Sequence, residues 1–132
     1  MSNHQTIFLI AQNTRKWAEK KAKKDYFSYG SCLAGLCAIA SAHVFTALKK
    51  QGFTPQLHMA DGDGSHVFVT AEGFLIDVTA TQFDINKKVI VKPYKRPRKW
   101  FWKKQRTFNS VKELADHQSE EGWERSQRVR AK

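Results

Sequence analysis

From His66 to Phe83 the chain reads HVFVTAEGFLIDVTATQF, two runs rich in β-branched and aromatic residues around Glu72-Gly73. Such runs on either side of a short turn signal predict a β-hairpin. Asp77 interrupts the second run directly after Phe74-Leu75-Ile76, and a carboxylate within an apolar strand is costly unless paired. Register decides what can pair with it. With a two-residue turn, paired positions have an odd sum, so His66, Phe68, Asp77 and Thr79 share one face and His66 and Asp77 become direct or diagonal neighbours; a three-residue turn would place them on opposite faces.

The remaining chain supplies helices for this hairpin to pack against. Residues 5 to 23 carry Ile7, Leu9, Ile10, Trp17, Ala18 and Ala22 among Lys and Gln, the pattern of an amphipathic helix, expected at the periphery. The segment from Asp25 to Leu36, rich in Gly, Ser and aromatics without a sustained period, predicts an ordered loop. In CAIASAHVFTALKK, from Cys37 to Lys50, one stripe holds Cys37, Ala40, Ser41, Val44 and Leu48 and another Ala38, Ala42 and Phe45. A helix apolar on nearly all sides is expected to be buried and central. Gly52 stands where a glycine cap ends it, and Pro55 blocks continuation. Gln56 to Ala60 predicts a short strand and Asp61-Gly62-Asp63-Gly64 a turn before the hairpin. After weak alternation through KKVIVKPY, Ser110 or Asn109 is placed to cap a last helix over VKELADHQSEEGWERSQRV, with Glu113 at capping-box spacing. The expected architecture is a single α+β domain over residues 1–132, a central Cys-bearing helix packed on an antiparallel sheet.

Composition narrows the classes. A chain of 132 residues is about one domain's worth. Its net charge of +11 is unevenly placed: residues 1–86 hold 8 Lys/Arg against 7 Asp/Glu, and residues 87–132 hold 15 against 5. Ten of those cations, and no acid, fall in the basic segment 87–106. The longest apolar stretch, Leu33 to Leu48, contains Ser41, His43 and Thr46 and is shorter than the ~20 residues of a membrane span, so no membrane partner is expected. The N-terminal residues do not read as a secretory signal, which makes the cytoplasm the expected location. Cys32 and Cys37, close in sequence, read as thiols, because a disulfide closing so small a loop gains little.

Three side chains stand out for chemistry: Cys37 at a helix start, His66 on a strand and Asp77 on the next. The thiolate is the nucleophilic form of cysteine, and a helix N-terminus with its unpaired N–H groups is a setting that favours negative charge. A nucleophile needs an adjacent base, and the base needs an orienting group on its other ring nitrogen. His66 and Asp77 fit those roles. Zinc at Cys32, Cys37, His43 and His58 is a weaker reading because no Cys-x2-Cys or His-x3-His spacing is present. DGDG lacks the downstream Glu of a calcium loop, and His43 is expected in the core. Neither metal nor cofactor is called for.

The segments GLCAIASAHVFTALKKQGFTPQL, SHVFV and LIDVTATQF resemble the transglutaminase-like branch of the papain-like superfamily, with its Cys helix, His strand and Asp-x-Thr strand. The resemblance spans roughly Gly35 to Phe83 and implies a papain-like fold, Cys37 as nucleophile, His66 as general base and acid, and Asp77 as orienter. Thr79 matches the threonine of the family's Asp-Pro-Thr, with Val78 in place of the proline. Ser31, six residues before Cys37, falls where the papain-like oxyanion glutamine would stand. The implied function is cysteine-dependent acyl transfer at an amide of a protein or peptide, whether peptide or isopeptide hydrolysis, glutamine deamidation or cross-linking, each passing through a thioester at Cys37.

A rival reading comes from the basic segment. In KPYKRPRKWFWKKQR, Lys95, Arg96, Arg98, Lys99, Lys103 and Lys104 interleave with Trp100 and Trp102, as phosphate contacts and stacking platforms for a nucleic acid require. An acidic partner, or an aromatic plug with a solvated basic face, fits the same residues.

Overall fold

The computed structural model describes residues 2–24 and 36–118. The hairpin is built as the two-residue turn requires. Strands β2 (Gly64–Ala71) and β3 (Phe74–Asp77) pair antiparallel with Val69 opposite Ile76 and Ala71 opposite Phe74. Both turn residues are left-handed, Glu72 at φ 53° and Gly73 at φ 82°, matching a type I′ turn and the twist of its strands. The other strands are β1 (Gln56–Gly62), β4 (Ile90–Pro93) and β5 (Arg106–Phe108), and the antiparallel sheet runs in the order β4-β3-β2-β1-β5. Only Asp63 separates β1 from β2, with Gly62 opposite Gly64, so the expected four-residue turn is largely absorbed into the strands. The expected second strand of the hairpin is shorter than its sequence suggests. It stops at Asp77, and Ala80–Phe83 forms a 3-10 turn.

One sheet face is covered by helices. Helix α1 (Asn3–Lys24) starts with a capping box between Ser2 and Gln5, whose backbone N–H groups bond to each other's side chains at 3.0 and 3.2 Å. Helix α2 (Cys37–Lys50) ends in a Schellman motif: Gly52, at φ 86°, donates to the Lys49 carbonyl and Phe53 to that of Leu48. Val67, Val69, Ile76, Val78, Leu57 and Met59 meet Ala40, Val44, Leu48, Ile7 and Ala11 in this core. Two expectations are corrected here. Helix α2 is buried on one face only, with Ile39 44% exposed and His43 at the surface, stacked on Trp17 at 4.4 Å. Its other apolar residues are alanines, which surface positions tolerate. Helix α1 is no mere periphery, since Arg15 is buried and donates to the Val78 carbonyl and Thr81 Oγ1, both at 2.9 Å.

The opposite face holds Ala60, Phe68, Leu75 and Ile90 under Phe101 and Trp102 from a second 3-10 turn (Trp100–Trp102). Helix α3, over residues 111–118, is capped by Ser110, with Glu113 reaching back one residue further than in a regular capping box. Ser110 Oγ accepts from the Glu113 N–H, and the Glu113 carboxylate from the Asn109 N–H. The predicted extension of this helix past residue 118 lies outside the described residues. Among them, no helix is long and apolar enough to cross a membrane.

Gly62 lies against the plug: a Cβ there would stand 2.6 Å from Cδ2 and Cε3 of Trp100. Gly62→Ala should therefore cost about 1–3 kcal/mol by overpacking, read from urea denaturation. In a Trp100→Ala background the same change should cost less than about 0.5 kcal/mol. Equal costs in both backgrounds would show that the indole does not press on this glycine.

Candidate active site

Cys37 is the first residue of α2 and is half-buried. Leu36, whose side chain cannot cap, precedes it, and the first helical bond runs from the Ala40 N–H to the Leu36 carbonyl at 2.9 Å. The helix is anchored one turn later, where Ser41 Oγ donates to the Val67 carbonyl at 3.0 Å. That bond ties α2 to the strand carrying His66.

His66 is fully buried on the plug side of β2, beyond the last β2–β3 ladder pair. Its Nε2 donates to Asp77 Oδ2 at 2.7 Å. The odd-sum register brings the two together as diagonal neighbours. The same carboxylate oxygen accepts from the Trp102 indole N–H at 2.8 Å, and Oδ1 accepts from the Thr79 N–H at 2.9 Å and Thr79 Oγ1 at 3.4 Å. Asp77 is thus held by four donors, so its burial leaves no carboxylate oxygen unsatisfied. Cys37 interacts with the same ring, whose Nε2 is already engaged by Asp77. Gln82 Nε2 lies 3.3 Å from Nδ1 and donates to the Thr79 carbonyl at 3.1 Å. Phe83 meets the imidazole edge-on at 4.8 Å, which fixes the ring plane.

The electrostatics follow from these contacts. Burial works against a charged His66, but the Asp77 carboxylate and then Cys37, each by charge and hydrogen bond, more than offset it and push the pKa up to about 9. This favours the charged, imidazolium form at neutral pH. His58, equally buried on β1, goes the other way: desolvation and then Lys104 push it down to about 4, and it stays neutral between Thr70 and Thr107 hydroxyls at 2.7 and 2.9 Å. The two histidines differ because only one has a carboxylate.

Cys37, His66 and Asp77 are therefore in one place. Ser31, the residue considered for the oxyanion, and Cys32 lie outside the described residues. Trp102 is not a stacking platform, since it is 5% exposed and its face carries Lys92 Nζ at 4.3 Å. Trp100 is half-buried against Phe83 and Phe101 at 5.4 and 5.7 Å. Lys95, Arg96, Arg98, Lys99, Lys103 and Lys104 are at the surface. Sequence reasoning did not find Gln82 or the indole bond to Asp77. Among the described residues no group of three His, Cys, Asp or Glu could hold a metal.

No family model, curated protein or solved structure matches this chain. Its class rests on the molecule itself, which among the described residues is an α+β arrangement of three helices and a five-stranded antiparallel sheet.

Asp77→Ala would leave the buried His66, Trp102 and Thr79 donors without their acceptor and should cost about 3–5 kcal/mol in chemical denaturation. Asp116→Ala, which breaks only an exposed pair with Lys112, should cost less than about 1 kcal/mol. Similar losses would contradict the role given to Asp77. Because the folded pKa of His66 lies above its unfolded value near 6.5, its contribution to stability is complete below pH 6.5 and is lost as pH rises through about 9. Wild-type stability should fall across that window more steeply than that of Asp77→Asn, and parallel curves would refute the pairing as its cause.

Proposed function

We propose that this protein is a cysteine-dependent acyl transferase acting at amide bonds, with Cys37 as nucleophile, His66 as general acid and base and Asp77 as orienter, on a papain-like scaffold of the transglutaminase type. The observation that carries the reading is the buried 2.7 Å bond from His66 Nε2 to Asp77, which leaves Nδ1 as the ring nitrogen free to serve the neighbouring thiol at the start of α2. A structural histidine needs no carboxylate, as His58 illustrates with two hydroxyls.

In this reaction the Cys37 thiolate attacks the amide carbonyl, and the tetrahedral intermediate collapses as His66 gives its proton to the leaving nitrogen. The thioester is then attacked by water or an amine, which His66 deprotonates, and the thiolate is released. Asp77 keeps the ring oriented and stabilises its charged form, while Trp102 and Thr79 hold Asp77. The Cys37 N–H is one donor for the oxyanion, and the Gln82 carboxamide on the Nδ1 side of the ring is a second. Hydrolysis, deamidation and cross-linking share these steps and differ only in the substrate and acceptor. A free thiol suits a reducing compartment, in keeping with the cytoplasm.

Iodoacetamide at neutral pH should label Cys37 at least tenfold faster than Cys32, and His66→Ala should remove most of that advantage, followed site by site with mass spectrometry. Equal labelling of the two cysteines, indifferent to His66→Ala, would eliminate an activated nucleophile.

A further inference from the structure

Beside Trp102, whose indole holds Asp77, the surface carries a cavity of about 280 Å³. Five of the residues lining it are cations, Lys92, Lys95, Arg96, Arg98 and Lys99, and none is an acid. Gathering like charges around a concavity raises the energy of the fold by self-repulsion and concentrates positive potential where a counter-charge would sit.

The backbone here carries strain as well. Arg96 adopts φ 41°, in the left-handed region that a residue with a Cβ rarely occupies. It also precedes Pro97, and a residue before proline is steered towards extended backbone. Glycine would relieve this conformation, yet the position carries an arginine that lines the cavity. Strain of this kind persists where the surroundings impose it, and it clusters at binding sites.

The aromatic walls decide between kinds of anion. Lys92 Nζ lies over the Trp102 ring at 4.3 Å, and Lys104 Nζ over the Tyr94 ring at 4.5 Å, with Phe68 stacked on Tyr94 at 6.1 Å. These ring faces are occupied, so a base has no platform to stack on there. What remains is positive charge, with two guanidinium forks whose planar donors match phosphate oxygens in pairs.

We infer that this cavity is a phosphate-binding site, taking a phosphoryl group of two or more negative charges, either from a free phosphorylated molecule or from the backbone of a nucleic acid, without reading bases. This is independent of the chemistry assigned to Cys37, and it uses neither His66 nor the thiol.

The test is calorimetric titration of the full chain with inorganic pyrophosphate and, separately, with a twelve-residue oligothymidylate, at 50 and 150 mM salt. Arg96→Gly should weaken binding at least fivefold while leaving the melting temperature unchanged or higher, because it removes the guanidinium and relieves the backbone together. Arg98→Ala should weaken it similarly. Lys49→Ala, which removes one charge from the end of α2, should change affinity less than twofold. Tighter binding of the oligonucleotide with a steep salt dependence identifies a nucleic-acid backbone as the source, and binding of pyrophosphate alone identifies a free phosphorylated ligand. The inference is overturned if neither probe binds at 150 mM salt, or if Lys49→Ala weakens binding as much as Arg96→Gly. Equal affinity for an oligoglutamate peptide of matched charge would also overturn it, since the cavity would then read charge alone.

Discussion

The ion pair between His66 and Asp77 governs this molecule. Two ionised groups taken out of water carry a desolvation cost of several kcal/mol each, which their attraction offsets only where every remaining hydrogen-bonding site is also satisfied. The structure meets that demand both from the next turn and from far along the chain. Thr79 supplies donors from the turn after β3, and Trp102 reaches in from the aromatic plug with its indole N–H. The plug closes the second core and completes the carboxylate's shell, so packing and site geometry cannot be separated here.

Arg15 plays the corresponding part on the helical side. Its guanidinium, buried beneath α1, holds the Val78 carbonyl and Thr81 Oγ1 and is itself paired with Glu19 at 2.9 Å. The segment it holds lies between Asp77 and Gln82, the residues on the two nitrogens of the His66 ring. The thiol is placed by a different element, α2, tied to β2 through Ser41. The site is therefore assembled from both layers, with the hairpin supplying the histidine and its carboxylate and the helix supplying the thiol. Groups held on regular elements and locked by packing keep the spacing that the proposed acyl transfer would need.

The basic segment shows how composition alone leaves a choice open. Its cations and aromatics alternate along the chain, which suits both a nucleic-acid platform and a plug with a charged rim. Burial divides them: Phe101 and Trp102 go inward with Trp100 half-covered, while the lysines and arginines stay in solvent, some lying across the outer faces of the rings. The aromatic residues thus serve the fold, and the positive charge is left for any partner.

Much of the local structure was legible because it obeys short-range rules. Glu72-Gly73 between apolar runs marks the hairpin turn, and its two-residue length, fixed by the pairing of Ala71 with Phe74, sets which residues share a face with Asp77. Gly52 and Ser110 mark helix ends through backbone geometry and capping bonds that need only neighbouring residues. Asp77 announced that it required a partner, since an unpaired carboxylate in an apolar strand is too costly to keep. Arg15 left a signal too, because it falls on the same helical stripe as Ala11, Ala18 and Ala22, where a charge is out of place. Other features were settled only by the tertiary structure: the end of β3 at Asp77, the exposure of His43, the inward turn of Trp102, the left-handed Arg96 and the meeting of Cys37 with His66. Each depends on which surfaces are covered by residues distant in sequence, and burial and partner choice follow from packing in three dimensions, which local periodicity does not encode.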